Sequence, residues 1–362
     1  LRLARRGLYT TSPNPRVGCV LVRDGSVVGE GWHERAGEPH AEVNALKKAG
    51  GLARGATAYV TLEPCCHHGR TPPCTNALID AGVSRVVAAI QDPNPRVDGQ
   101  GMLQLGAASI ETKIGIMEDQ VRALNPGYMQ RFEAGRPFNR CKLAMSLDGR
   151  TAMASGESKW VTGDQARQDV QRFRARSSAI LTGIGTVLAD DPSMNVRCDQ
   201  LGESGISEKD IAQPLRVVLD THLRMPTSAR MLALAGTTLV ATSSQDEERK
   251  KALQKAGAEV IVLPTVETGV DLHALMIVLL ERQMNEVLIE AGAVLSGAML
   301  RAGLVDELIV YIAPHLMGDQ ARGLFHLPGW ERMEQKIPLP IRDIRAVGGD
   351  WRITCGAPNI ES

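Results

Sequence analysis

The chain has 362 residues, more than one ordinary hydrophobic core accommodates, so two domains are expected. Hydrophobic residues at 43% and charged residues at 23% are those of a globular protein, and a formal net charge of +0 excludes bulk electrostatic attraction to nucleic acid or to an anionic membrane. Aromatic residues at 3% are too few for a base-stacking platform, and the most apolar run, 275–280, falls far short of the roughly 20 residues of a membrane span.

Seven cysteines are an odd number, and Cys65, Cys66 and Cys74 stand among histidines. That pattern reads as metal binding in a reducing compartment rather than as a disulfide framework. No signal-peptide pattern is visible, and a cytoplasmic location is expected. The chain starts at Leu1 inside a helical pattern of Leu1, Leu3, Ala4 and Leu8, so residues are expected to precede it.

In chain order, Pro13-Asn14-Pro15 is a rigid loop suited to delivering the Asn14 side chain to a site. Residues 16–23 predict a strand, and Asp24-Gly25 before the apolar 26–30 predicts a hairpin. Residues 40–49 predict a short helix stopped by Gly50-Gly51, 58–62 a buried strand, 74–81 a second helix ending at Gly82, and 84–90 a further strand. Strands alternating with short helices imply an α/β sandwich with right-handed crossovers. Residues 92–101 read as loop and 125–137 as the linker, dividing the chain into domains 1–135 and 136–362. Beyond it, strands are expected at 138–145, 179–182, 216–220, 238–242, 259–263, 286–290 and 307–312. A charged helix is expected around 164–176, and 199–213 reads as a surface insertion.

The densest chemistry lies between Pro39 and Cys74. His40, Cys65 and Cys74 offer imidazole and thiolate donors, three protein ligands leave a fourth position for water, and Glu42 is placed to carry that water's proton. Residues i and i+2 point to nearly opposite sides of a helix, so His40 and Glu42 serve one metal only if His40 stands at the helix start, where Pro39 puts it. Taken singly, His40 reads as a surface or core histidine and the cysteines as small buried hydrophobes. Together with Glu42 and Pro64 they read as one zinc site per chain. Cys66, His67 and His68 are rival ligands, the two histidines better read as walls of the site.

The second half holds neither a G-x-G-x-x-G after a strand nor a P-loop. Two strand-to-helix passages, Glu290-Ala291-Gly292 into 293–297 and Thr182-Gly183-Ile184-Gly185-Thr186 toward Asp190, are either phosphate-binding turns or plain tight turns.

PHAEV followed by EPC and a later Cys resembles the cytidine-deaminase superfamily. The eight residues between Cys65 and Cys74, where nucleic-acid deaminases carry two, narrow the match. TSPNPRVGCVLV, GEGWHERAGEPHAEV, TLEPCCHHGRTPPC and QDPNPRV, with CKLAMSLDGRTAMASGESKWVT, ILTGIGTVLADDPSMNVR, EAGAVLSGAML and LVDELIVYIAP, resemble the bifunctional pyrimidine deaminase–reductases of riboflavin biosynthesis along the whole chain. That family usually has Ser at the position of Cys66, a departure beside a metal ligand.

The resemblance implies a cytidine-deaminase-like α/β/α sandwich followed by a dihydrofolate-reductase-like α/β domain, with Zn2+ and NADPH as cofactors. It implies a small phosphorylated substrate, 2,5-diamino-6-ribosylamino-4(3H)-pyrimidinone 5′-phosphate, no nucleic-acid or membrane partner, and a homodimer through the C-terminal domain. Activated water attacks the ring carbon bearing the 2-amino group, with Glu42 moving the protons; the ribosyl ring then opens and its C1′ is reduced. Carried over by position, Asn14 and His33 contact substrate, and Arg70 reads as a phosphate clamp or a solvated loop charge. Ala144, Trp160, Thr186, Asp190, Thr221, Gly292, Ala293, Val294, Leu295, Ser296, Gly297 and Ala298 hold NADPH; Ser158, Arg174, Met194, Arg197 and Glu290 hold substrate. Lys142 and Asp190 are the ionisable groups for assisting ring opening, Lys142 being otherwise a structural ion pair.

The competing reading is a deaminase of another free or RNA-borne nucleobase with a non-catalytic C-terminal binding module; the Cys65–Cys74 gap and the neutral charge weigh against RNA. A pseudo-enzyme with purely structural zinc is the other, and Glu42 weighs against it.

Overall fold

Asp24 and Gly25, both at positive φ (49° and 77°), fold Gly18–Arg23 (β1) back on Ser26–Trp32 (β2), with Arg23 opposite Ser26. Two left-handed residues give a turn whose twist matches that of the flanking strands, as the Asp-Gly pair predicts. The hairpin opens the first of two units, Leu1–Arg136 and Pro137–Ser362, in the computed structural model, which describes residues 1–69, 71–202, 211–267 and 269–358.

In the first unit Thr57–Val60 (β3) pairs antiparallel with β1; Arg85–Ala88 (β4) and Glu111–Ile114 (β5) follow in parallel, giving the order β2-β1-β3-β4-β5. Ala41–Ala49 (α1), Cys74–Asp80 (α2) and Gln100–Ala107 (α3) pack around a core of Cys19, Leu21, Ala45, Ala58, Leu78 and Leu105. The fit of α1 on β2 depends on glycine: a Cβ at Gly31 would stand 2.3 Å from Ala41 O and 2.4 Å from Ala45 N. Backbone therefore meets backbone there, which fixes where α1 starts.

The structure corrects the linker. Residues 125–137 are not loop: Glu118–Leu124 (α4) and Pro126–Glu133 (α5) are helices, Tyr128 and Met129 lie in the first unit's core, and Asn125 exchanges two hydrogen bonds with the Arg16 backbone (2.8 and 3.0 Å). Pro126 starts a helix, its ring preset for the first helical position. The stretch 92–101 is loop up to α3, and β5 has no counterpart in the sequence reading. Near Leu1 the helical pattern is a 3-10 turn at Ala4–Gly7.

The second unit begins with Phe138–Ser146 (β6), Arg150–Ala152 (β7), Asp164–Arg176 (α6), Ala179–Gly183 (β8) and Ile184–Asp190 (α7). Leu215–Leu219 (β9), Thr238–Thr242 (β10), Glu247–Lys255 (α8) and Ala258–Val262 (β11) follow, then the short Thr265–Val266 (β12) and Gly269–Val270 (β13). Leu272–Glu281 (α9), Glu286–Ile289 (β14), Ala293–Arg301 (α10), Glu307–Ala313 (β15), Arg322–Gly323 (β16), Ile341–Val347 (β17) and Asp350–Cys355 (β18) complete it. Nine strands form one sheet, β11-β10-β9-β8-β14-β6-β15-β18-β17. Strands β11 through β15 run parallel and are mostly apolar because helices cover both faces; β18 and β17 are antiparallel at the edge. Buried Arg140 reaches Glu286 at 2.9 Å and Glu307 on the neighbouring strands, so its charge is answered inside the sheet.

Run 275–280 lies within α9, and among the described residues no helix is long and apolar enough to cross a membrane. Of the expected insertion 199–213, residues 203–210 lie outside the described residues.

Candidate active sites

His40 precedes α1 in extended backbone (φ −74°, ψ 168°), and Glu42 lies in the first turn. This removes the i, i+2 conflict, because His40 is not itself helical. Cys74 is the first residue of α2, and its N–H donates to Cys65 Sγ at 3.4 Å. His40 Nδ1 lies 3.3 Å from Cys74 Sγ and 3.5 Å from Cys65 Sγ, and all three donor atoms fall within 4.8 Å of one another. A tetrahedral zinc ion separates one nitrogen and one sulfur donor by about 3.6 Å. The trio fits that ion, and no other such group forms among the described residues.

Glu42 is buried beside the trio (3% exposed), and its carboxyl is pushed up to about 7, first by burial and then by the Cys65 charge. A carboxyl titrating near neutrality both takes and returns a proton. Thr71 Oγ1 stands 3.5 Å from His40 Nε2, on the side away from the sulfurs. Cys66 turns away: its Sγ donates to Arg96 O at 3.8 Å. His67 is half-buried with Nδ1 unpartnered, His68 is exposed, and Arg70 lies outside the described residues.

Asn14 Nδ2 meets His33 Nε2 at 3.0 Å, and His33 Nδ1 meets Pro39 O at 3.2 Å. Only 2% of His33 is exposed; burial brings its ring down to about 4, and it lies edge-on to His40. Glu63 sits two residues before Cys65, and the sequence reading gave it no role. Its carboxylate accepts from the N–H groups of Asp92, Gly99, Gly101 and Met102 at 2.8 to 3.2 Å, clasping the metal loop to the start of α3. No local spacing announces this, since the donors lie 29 to 39 residues away.

In the second unit, Lys142 on β6 faces Glu290 and Arg174, and its Nζ lies over the Tyr311 ring at 5.8 Å. Burial lowers the Lys142 ammonium and Arg174 adds to it, with Glu290 opposing. Glu290 follows β14 and is paired with Arg174 on α6. Asp190 closes α7, with its carboxylate 3.5 Å from Lys159 Nζ. Trp160 is 69% exposed, with Arg167 stacked on its ring at 4.5 Å; Ser158 is half-buried nearby in sequence. Gly292 caps α10, whose first turn holds no acidic residue, and both Gly292 and Val294 are exposed. Ser296 and Gly297 instead face the protein: Ser296 Oγ donates to Ala291 O, and a Cβ at Gly297 would strike His326 O. Ala293, Leu295, Ala298, Ala144 and Thr186 are half-buried, and Thr221 offers its carbonyl to Thr242 and Ser243. Met194 is core, packed with Ile180 and Val218. Arg197 is exposed, with its N–H on Gln171 Oε1. Tyr311, Asp169 and Arg352, unread in the sequence, form a locked group in which Tyr311 Oη and Arg352 Nη1 both donate to Asp169.

Residues 1–90 match the family described as the cytidine and deoxycytidylate deaminase zinc-binding region, and residues 137–352 match the RibD C-terminal domain. The riboflavin biosynthesis protein RibD of Escherichia coli K12 is 51% identical over 97% of this chain and 95% of its own length, and that of Haemophilus influenzae 49% over 98% and 94%. The chain belongs to the RibD family. The solved Acinetobacter baumannii RibD superposes with a TM-score of 0.91 at 47% identity, covering 99% of this chain and 96% of that one. A Thermotoga maritima diaminohydroxyphosphoribosylaminopyrimidine deaminase/5-amino-6-(5-phosphoribosylamino)uracil reductase superposes with a TM-score of 0.85 at 30% identity, over 98% and 96%.

As a RibD-family enzyme this chain is bifunctional, a zinc-dependent deaminase and an NADPH-dependent reductase of riboflavin biosynthesis. Its α/β units are accordingly cytidine-deaminase-like and dihydrofolate-reductase-like. The match over 137–352 is to the RibD C-terminal domain, which speaks for a reductase there over a non-catalytic binding module.

Proposed function

We propose that this RibD-family enzyme deaminates 2,5-diamino-6-ribosylamino-4(3H)-pyrimidinone 5′-phosphate in domain 1–135 and then reduces the ribosyl group to ribityl in domain 136–362. The observation that carries the reading is the three-donor trio with Glu42 buried beside it.

His40, Cys65 and Cys74 hold the zinc ion, which when bound supplies Lewis acidity toward water. Glu42 takes a proton from the attacking water and passes protons to the ring nitrogen and to the departing ammonia. Asn14 orients the pyrimidine and Arg70 takes the phosphate. In the reductase domain Trp160, Asp190, Thr221 and the start of α10 hold NADPH, which supplies hydride to C1′. Lys142, its ammonium lowered by burial, donates a proton to the ribose ring oxygen as it opens. Ser158 and Arg197 contact the substrate, and Arg174 sets Glu290 in place.

The C-terminal domain makes a homodimer, a reading supported by the exposed hairpin β17–β18 with Ile341, Ile344 and Trp351 more than half exposed. We place the enzyme in the cytoplasm, which seven free cysteines suit.

The decisive experiment is Glu42→Gln. The variant should keep about one zinc per chain and lose deamination by at least about a hundredfold, while still oxidising NADPH when given the deaminated substrate. Retained deamination would overturn the role of Glu42.

A further inference from the structure

Glu63 stands two residues before Cys65, only 3% exposed, and each of its two carboxylate oxygens accepts twice. Oε1 takes the N–H groups of Gly101 at 2.8 Å and Met102 at 3.2 Å, in the first turn of α3. Oε2 takes those of Asp92 at 3.1 Å and Gly99 at 2.9 Å, the two ends of the loop that leads into that helix. Four donors meet four lone pairs, a set that only a carboxylate without a proton completes. A second contact seats the same stretch. A Cβ at Gly101 would stand 2.1 Å from Pro64 O, so the backbone between Glu63 and Cys65 lies directly on the start of α3. Glu63 N–H is tied as well, to Ile90 O at 3.0 Å, and the Pro64 ring then fixes the φ of the next residue. Cys65 itself is held from the other side, its O by Thr75 N–H at 3.2 Å and its Sγ by Cys74 N–H at 3.4 Å.

We propose that Glu63 and Gly101 are positioning residues for the metal: together they seat the chain before Cys65 on α3 and so fix that sulfur where a zinc ion requires it. Glu63 makes its four hydrogen bonds to backbone outside the trio and acts only through Cys65. Outer residues that orient a metal ligand commonly set the affinity of the site as much as its geometry. The inference rests on the reading of His40, Cys65 and Cys74 as the zinc ligands.

Zinc affinity of the full chain, measured by competition with a chromogenic chelator, tests it. Glu63→Gln keeps the side-chain shape, but whichever way its amide turns, an NH2 faces two N–H donors. Gly101→Ala reaches the same seat from the helix side and leaves the carboxylate in place. Each variant should weaken zinc binding about ten- to a hundredfold, with NADPH turnover intact. Should Glu63→Gln fail to fold its deaminase unit in urea unfolding, Gly101→Ala carries the test. Val121→Ala, a core deletion on α4 with no part in the seat, should lower fold stability and leave zinc affinity unchanged. An equal loss of zinc affinity in Val121→Ala would overturn the positioning role, since metal binding would then merely track stability. Wild-type zinc affinity in a folded Glu63→Gln or Gly101→Ala overturns the seat as well. Cys65→Ser is the reference and should lose zinc more severely than either; zinc retained there overturns the ligand reading itself, whereas zinc lost there and kept in the seat variants leaves the trio standing.

Discussion

Arg174 grips Glu290 with two parallel hydrogen bonds, Nε to Oε1 at 2.6 Å and Nη2 to Oε2 at 2.9 Å, and its Nη1 donates to Asn195 O at 3.0 Å. The guanidinium is mostly committed within the protein, so its first effect is to hold the Glu290 carboxylate beside Lys142. Burial works to raise the Glu290 carboxyl, and Arg174 outweighs it and keeps the group ionised. Arg174→Met leaves a buried charge without its partner and should cost about 3–5 kcal/mol in denaturant unfolding of the reductase unit. Arg174→Lys should cost less, because a point charge replaces only part of the fork. An equal loss from both would mean that a point charge alone replaces nothing and that the fork carries the whole effect.

Gly31→Ala should disturb the metal site without touching it. The added Cβ would stand 2.3 Å from Ala41 O, the first residue of α1 and the neighbour of His40. Backbone cannot yield as a flexible side chain does, so α1 must shift, at about 1–3 kcal/mol or more. Zinc content per chain and deaminase kcat should fall together, while NADPH binding is kept. Full zinc occupancy with normal deamination would show that α1 tolerates the displacement.

Asp92 gives the deaminase unit a pH dependence of a defined sign. Its carboxyl is raised to about 6, chiefly by burial and also by the charges of Glu63 and Cys65, against hydrogen bonds from the Asn94 N–H and Tyr128 Oη. Because the folded value exceeds the ordinary 3.8, the native state binds the proton more tightly than the unfolded chain. Ionised Asp92 therefore weakens the fold above about pH 6, and that penalty fades as the pH falls from about 6 toward about 4. Relative to Asp92→Asn, the wild type should gain on the order of 2–3 kcal/mol between pH 7.5 and pH 4.5, measured by urea unfolding at several pH values. A difference that does not move with pH would remove Asp92 as its source.

Zinc removal should silence one activity alone. Chelation is expected to release about one zinc per chain, abolish deamination and leave NADPH-dependent reduction intact. It should also unmask Cys65 and Cys74 to a thiol reagent, with Cys65 reacting first. The Cys65 thiol is drawn below its ordinary range by the hydrogen bond from Cys74 and then by His40, and thiolate is the reactive form. Equal thiol reactivity before and after chelation would place the metal elsewhere.

Several elements were legible in the residues because their signals are local. Asp24-Gly25 announced its hairpin, Pro39 the start of α1, and buried apolar runs such as 238–242 their strands. The stretch 125–137 was misread because Pro126 breaks a helix from inside but initiates one at its first turn. Strand β17 was missed because it lies at the sheet edge, where exposure blurs the apolar alternation that marks a buried face, and its inner neighbour β18 is itself only partly buried.

By itself the sequence determined the chemistry: one imidazole, two thiolates and a carboxyl at the spacing of a hydrolytic zinc site, in a chain too long for that domain alone. Those assignments follow from residue type and near neighbours. Only the tertiary structure decided what each side chain is free to do. It placed His40 outside the helix that carries Glu42, turned Cys66 toward Arg96, closed both nitrogens of His33, and bound Arg174 to Glu290 across 116 residues of sequence. Hydrogen-bond partners so far apart in the chain are set by how strands and helices pack, and no local pattern records them.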